Sequence, residues 1–225
     1  MDFFDSAYQG TPPWDIGRPQ KEFVELVRRG EITGSVLDIG CGTGEHALFF
    51  AGEGHEVWGI DSAPAAIQKA QEKAAQRGLP VHFCVLDARD LSRLNRTFDT
   101  VTDSGLFHTL SDEDRPVFVD NLAAILSPKK NYFMLCFSDR EPAGYGPRRI
   151  TKREIQDSFS DGWTINYIRP AIFESRTRAE GPRAWLSSIT KKTEVSIRAS
   201  GRDGCTSGLN RIPPAGRKST DISLP

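Results

Sequence analysis

The chain has 225 residues, 38% of them hydrophobic and 26% charged, with a formal net charge of -1. That length suits one α/β domain and excludes two large ones, and the near-neutral balance excludes a global pull toward nucleic acid or anionic lipid. The apolar runs fall far short of a membrane span, and the acidic start Met1-Asp-Phe-Phe-Asp-Ser lacks the basic and apolar regions of a signal peptide; the cysteines, which show no pairing pattern, fit a reducing cytoplasm best.

Gln20–Arg29 reads as a short amphipathic helix stopped by Gly30. Ser35–Ile39 is an apolar strand that runs into Gly-Cys-Gly-Thr-Gly, and Glu45–Ala51 is the next helix. Glu56–Ile60 is a second strand, ended by Asp61. Pro64 suits the first turn of a helix that runs to Arg77 and stops at Gly78. Val81–Leu86 is a third strand, ended by Asp87, and Phe98–Thr102 a fourth, ended by Asp103. Asp112–Leu126 is helical with Ser111 as its cap, and Asn131–Phe137 is a fifth strand. Thr151–Phe159 is one more helix; Trp163–Glu174 and Arg183–Thr190 read as an antiparallel pair closing one side of the sheet.

Strands alternating with helical stretches imply an α/β fold: a Rossmann-like, doubly wound, mostly parallel sheet of about seven strands with an antiparallel C-terminal pair. Right-handed crossovers place the carboxyl ends of the parallel strands on one rim, where ligands bind. Asp61, Asp87 and Asp103 should share that rim. Residues 20–190 are read as the domain and residues 1–19 as a segment covering the site. Residues 191–225, with seven Lys or Arg against three acids and no sustained apolar period, read as a disordered basic tail.

The four cysteines, at 41, 84, 136 and 205, form no Cys-x-x-Cys pair and have no His at ligand spacing beside them. Neither a disulfide framework nor a metal site is expected.

The segment Val36-Leu-Asp-Ile-Gly-Cys-Gly-Thr-Gly-Glu-His carries the most chemistry. Glycines at 40, 42 and 44 let the backbone turn sharply and approach a ligand closely. Gly42-x-Gly44-x-x-Ala47 with Asp61 downstream also fits a dinucleotide fingerprint, so an oxidoreductase binding NAD(P) or a flavin stands as an alternative. A pyrophosphate needs the positive end of a helix without nearby carboxylates. Asp38 at the strand end and Glu45 in the first helical turn favour a cationic ligand instead.

Asp38-Ile-Gly-Cys-Gly-Thr-Gly resembles the first motif of class I S-adenosylmethionine-dependent methyltransferases. Asp61 resembles their ribose-binding acid, Leu86-Asp87-Ala88 their adenine-binding segment, and Phe98-Asp99-Thr-Val-Thr-Asp103-Ser104 their fourth motif. Thr11-Pro-Pro-Trp14-Asp-Ile-Gly-Arg18-Pro-Gln is similar to a subgroup of thiopurine, thiol, halide and tellurite methyltransferases, in which an N-terminal segment folds over the cofactor. The resemblance implies S-adenosyl-L-methionine as cofactor. It implies that Trp14 and Arg18 belong to the covering segment, and that Asp38 and the backbone at Gly40 hold the methionine ammonium. Cys41, Gly42 and Gly44 complete the loop. Asp61 meets the ribose, Asp87 and Ala88 the adenine, and the Ser104 backbone the region of the sulfonium; Ser62 and Asp103 are counted with the cofactor-binding residues.

The cofactor brings an activated methyl group, so the protein chiefly positions and excludes water. An ionised acceptor needs no base; a hydroxyl or protonated amine does. His108, after the fourth strand, is the candidate for that role, and Tyr145, Arg148 and Arg149 are candidates for shaping the acceptor pocket. The expected partner is a small-molecule methyl acceptor (sulfur, nitrogen, oxygen, halide or chalcogen), with no nucleic acid and no membrane, on a monomer or homodimer. Asp103-Ser-Gly-Leu stands where amino-group base methyltransferases have an Asn/Asp-Pro-Pro-aromatic run, which argues against a base substrate. A non-catalytic cofactor-binding module is the remaining alternative.

Overall fold

Period-2 alternation sorts the side chains of each strand between two faces. In the computed structural model, which describes residues 3–144 and 146–193, the strand Leu126–Phe137 (β5) sends Tyr132, Met134 and Cys136 into one apolar cluster and Phe133 and Leu135 into the other. The remaining strands are β1 Val36–Ile39, β2 Val57–Asp61, β3 Val81–Val85, β4 Phe98–Ser104, β6 Trp163–Ile172 and β7 Arg183–Lys191. They form one sheet in the order β3-β2-β1-β4-β5-β7-β6. The pairs from β3 through β5 are parallel, and β7 runs antiparallel to both β5 and β6. The expected antiparallel pair is present, with β7 inserted and β6 on the edge. Strand order reverses between β1 and β4, the place where α/β sheets open a ligand crevice.

Helices cover both faces. α1 Phe3–Ala7 precedes α2 Lys21–Arg28, α3 Glu45–Gly52 and α4 Pro64–Arg77; α5 Asp114–Ile125 and α6 Lys152–Ser158 follow. Phe23 and Leu26 of α2 and Ala47 and Phe50 of α3 pack with Val36, Val57 and Phe133. On the opposite face Phe118 and Leu122 of α5 and Ile155 of α6 pack with Leu37, Val101 and Tyr132. Each of the Val, Leu, Ile and Phe side chains removed from water contributes about 1.5–3 kcal/mol. No helix among the described residues is long and apolar enough to cross a membrane.

The structure corrects several boundaries. α1 was not anticipated. β5 begins directly after α5, at Leu126 rather than Asn131, because Leu126 pairs with Phe98 before the register shifts. α5 starts at Asp114, and Ser111 Oγ still accepts the Asp114 N–H at 3.0 Å. Lys191 belongs to β7 and not to a tail: its Nζ reaches the carbonyls of Ala123 and Leu126 at 2.6 and 2.9 Å. Lys192 still donates its N–H to the Gly162 carbonyl at 2.8 Å, and residues 194–225 of the expected tail lie outside the described residues.

α6 opens on a capping box. Thr151 Oγ1 accepts the Glu154 N–H at 3.1 Å, while Glu154 Oε2 accepts the Thr151 N–H at 2.7 Å. Burial opposes the Glu154 charge, yet the Thr151 N–H and hydroxyl and the Arg148 guanidinium hold its carboxyl down at about 2. A depressed carboxyl contributes stability that is complete above its unfolded value and lost as pH falls toward the folded one. Glu154→Gln is expected to cost about 1–2 kcal/mol at pH 7 and to flatten the loss of stability below the ordinary carboxyl range, measured by urea unfolding at several pH values.

Candidate cofactor and acceptor site

The carboxyl ends of β1, β2, β3 and β4 open on a cleft of about 1040 Å³. Gly40, Asp61, Ser62, Asp87, Ala88 and Ser104 line it, all of them expected from the sequence. Trp14 lines it too, along with His108 and Arg148.

Asp61 ends β2 and is 8% exposed. Its Oδ2 accepts the Gly42 N–H and its Oδ1 the Ala63 N–H, both at 2.9 Å. Each carboxylate oxygen has two lone pairs, so both retain acceptor capacity toward a diol. Asp87 caps the 3₁₀ turn Ala88–Leu94 through the Arg89 N–H at 2.8 Å and pairs with the Arg89 guanidinium. That guanidinium, ahead of the opposing burial, lowers the Asp87 carboxyl below its usual range.

Asp38 stands behind the glycine turn, 1% exposed. Its Oδ1 accepts the Thr102 hydroxyl at 2.8 Å; its Oδ2 makes no hydrogen bond of full geometry, although the Ala47 N–H also favours the charged form. Burial pushes this carboxyl up to about 7; the Thr102 bond opposes the rise, and Asp103 and Asp61 add to it. A buried, under-satisfied acid among like charges fits a cationic ligand, whose positive charge would stabilise the ionised form. With a raised folded value, the carboxylate loses stability as pH rises from about 4 through 7. Asp38→Asn is therefore expected to be at least as stable as the parent at pH 8 while binding adenosylmethionine at least about tenfold more weakly. Urea unfolding and titration calorimetry report the two effects separately.

Other expected residues stand beside the cleft rather than on its wall. Asp103 is fully buried and spends its oxygens on the Leu106 and Phe107 N–H groups and the Tyr132 hydroxyl. It shapes the turn after β4 instead of reaching a ligand. Burial raises it to about 6 against those three bonds. Arg18 forks onto Glu174 and fastens the N-terminal segment to the chain beyond β6. Cys41 is buried with its thiol toward the Gly42 carbonyl at 3.7 Å. Arg149 bonds the Pro142 and Pro147 carbonyls, and Tyr145 lies outside the described residues. Arg148, on the wall, is paired with Asp112 and Glu154.

Glu45 is another correction. Its carboxylate binds Lys73 at 2.7 Å and both Arg77 nitrogens at 3.0 Å. Lys73 and Arg77 sit four residues apart on one face of α4 and neutralise it, so it does not set the charge of the cleft. His46, beside it, accepts the Gln20 N–H at 3.0 Å and serves the start of α2.

An aromatic cover that no sequence motif marks stands over the cleft. Phe3 and Phe4 of α1 and Tyr8 line the cleft with Trp14, whose Nε1–H donates to Tyr8 Oη at 2.9 Å. Lys69 on α4 holds the carbonyls of Tyr8 and Gly10 at 2.6 and 2.8 Å. The spacing of Phe4 and Tyr8, one helical turn, was the available signal. Phe137 and Phe173 add an aromatic wall around His108. Phe173 lies in the β6–β7 connection, whose register only the folded sheet fixes.

The family described as methyltransferase domain matches residues 36–129. A 2-heptyl-1-hydroxyquinolin-4(1H)-one methyltransferase of Mycobacteroides abscessus is 38% identical over 182 residues, which cover 76% of this chain and 80% of that protein. The chain belongs to the S-adenosylmethionine-dependent methyltransferases. The dinucleotide reading falls with that match. A structure from work on the conversion of a disulfide bond into a thioacetal group during echinomycin biosynthesis superposes on this methyltransferase with a TM-score of 0.78, at 36% identity, over 86% of this chain and 93% of that one. Magnesium protoporphyrin IX methyltransferase from Synechocystis, solved with bound SAH, shares the fold at a TM-score of 0.62 and 19% identity, over 76% of this chain and 80% of that one.

Proposed function

We propose that this methyltransferase moves the methyl group of S-adenosylmethionine onto a small, flat, largely apolar acceptor by in-line displacement. The supporting observation is the division of the cleft. Strand-end carboxylate and backbone line one part of it (Gly40, Asp61, Ala88), and aromatic and aliphatic side chains line the other (Leu106, Leu110, Phe137, Phe173). The relative from Mycobacteroides abscessus acts, by its name, on a hydroxyquinolone, a planar heteroaromatic with a nucleophilic oxygen. That chemistry suits the aromatic part.

Asp38 and the backbone at Gly40 would hold the ammonium, Asp61 and Ser62 the ribose hydroxyls, and Asp87 with the Ala88 N–H the adenine. Ser104 backbone would flank the reacting centre. When bound, the cofactor supplies a methyl group already activated on a sulfonium. The chain's own contribution is then alignment and exclusion of water, which Trp14, Tyr8 and Phe4 supply from above. Cys41, Cys84 and Cys136 are free thiols, which suits a reducing, cytoplasmic setting.

Transfer of a labelled methyl group, screened over N-hydroxy and hydroxy heteroaromatics, phenols, thiols, amines and halides, tests this. Transfer to planar hydroxylated heterocycles is expected. Transfer confined to halides or inorganic oxyanions would overturn the acceptor class and leave the cofactor assignment standing.

A further inference from the structure

His108 lies on the 3₁₀ turn Phe107–Thr109 after β4 and is 5% exposed. Its Nδ1 sits 3.0 Å from the Phe137 backbone N–H, with Phe137 and Phe173 rings 4.9 and 6.1 Å away. A peptide N–H only donates, so Nδ1 is the acceptor in that bond. A neutral imidazole that accepts at Nδ1 carries its proton on Nε2. Among the described residues Nε2 makes no hydrogen bond, and it is absent from the buried polar atoms that lack partners, while the ring itself lines the cleft. The second nitrogen therefore opens on the cleft as an N–H.

The geometry points to a role opposite to that of a base: His108 presents Nε2–H to the acceptor's ionised nucleophilic atom, holds it in the aromatic wall, and takes no proton from it. This rests on the acceptor reading above and narrows it to acidic acceptors that arrive as anions, such as N-hydroxy or enolic oxygens of heteroaromatics. The step balances without a base. The oxyanion's lone pair forms the new C–O bond as the C–S⁺ bond breaks, the electron pair stays on sulfur, and the negative and positive charges cancel.

The surroundings agree. Burial, then the cations Arg149 and Arg115, push the His108 imidazole down to about 3, so it stays neutral across the working range. The carboxylates on the cleft, Asp61, Asp87 and Asp114, are engaged elsewhere: Asp61 by Gly42 and Ala63, Asp87 and Asp114 by Arg89. The neighbouring Arg148 is paired with Asp112 and Glu154. Tyr8, raised mainly by its own burial, stays protonated.

Three measurements test this. Long-range ¹H–¹⁵N spectra of the unliganded protein should show His108 as the Nε2–H tautomer, unchanged between about pH 5 and 9. An Nδ1–H tautomer, or titration near neutrality, overturns the proposal. Across acceptors of different acidity, the pH midpoint of kcat/KM should follow the acceptor's own pKa. A midpoint fixed near neutrality that vanishes on substitution would instead identify an enzyme base. His108→Phe should raise KM for ionised acceptors roughly ten- to hundredfold, the worth of a charge-assisted hydrogen bond, with kcat affected less. His108→Gln can accept from Phe137 and donate to the cleft, and should recover most of that loss; equal loss in both variants overturns the donor role. If no aromatic hydroxyl is methylated while halides are, the acceptor reading fails, and the tautomer spectrum, which needs neither ligand, still decides what His108 is.

Discussion

Asp61→Ala is expected to weaken adenosylmethionine binding by roughly 1.5–3 kcal/mol, about ten- to hundredfold, with the protein still folded at 25 °C. The carboxylate is 8% exposed, faces the cleft, and is fixed by two peptide donors from opposite sides, Gly42 and Ala63. A rigid acceptor of this kind loses little entropy when a ribose diol engages both oxygens. Removing it also leaves two N–H groups without their partner, so a stability loss of about 1–3 kcal/mol should accompany the loss of affinity. Asp61→Asn should be intermediate in both effects, because it keeps one acceptor oxygen, sets an amide NH2 against the other loop N–H, and halves the capacity toward the diol. Asp87→Ala makes the comparison: its carboxylate is already committed to Arg89, so its removal should cost less affinity than that of Asp61. Calorimetric titration of the folded variants measures this. An Asp61→Ala protein with parental affinity would overturn the assignment of the ribose site and, with it, the orientation given to the cofactor.

The strand ends were legible because apolar alternation reports which residues are inside, and a carboxylate directly after such a run must sit at the sheet's rim. Asp61 and Asp87 were placed on that reasoning. Asp103 follows the same pattern, yet its carboxylate turns inward to Tyr132 and to the N–H groups of Leu106 and Phe107. Whether a rim acid faces ligand or loop depends on local turn geometry, which has no periodicity to read. Pairings distant in sequence were equally hidden. Arg18 looked like part of a cofactor cover and is bonded to Glu174, across the β6–β7 connection. Glu45 looked like a charge opposing phosphate and is matched by Lys73 and Arg77. The cover itself, from Phe3 to Trp14, is held by Lys69 and by Arg176, whose N–H donates to the Pro13 carbonyl at 2.9 Å. Those contacts exist only once α4 and β6 are in place.

Gly44→Ala should cost about 2–5 kcal/mol of stability and no affinity in the protein that remains folded. Gly44 ends the loop at φ +83°, as the residue that opens α3. A Cβ there would sit 2.7 Å from Phe83 Cζ and 3.0 Å from Ala70 Cβ. The left-handed backbone adds about 1–2 kcal/mol for an L-residue, and the crowding about 1–3 kcal/mol. Both neighbours belong to the packing of α3 and α4 on the sheet, away from the cleft. Gly42→Ala is the informative contrast. At φ +55° it carries a similar backbone penalty, but its Cβ would meet Tyr8 Oη at 2.6 Å. Tyr8 lines the cleft and bonds Trp14, so displacing it should disturb the cover and weaken cofactor binding as well as the fold. The two glycines look equivalent in the sequence; in the structure a Cβ at Gly44 would meet core packing, and one at Gly42 would meet Tyr8, which lines the cleft. Thermal unfolding should place Gly44→Ala roughly 5–15 °C below the parent, with its dissociation constant unchanged, whereas Gly42→Ala should shift both. Equal losses of affinity in the two variants would mean that the whole loop touches the cofactor, and that the packing role assigned to Gly44 is wrong.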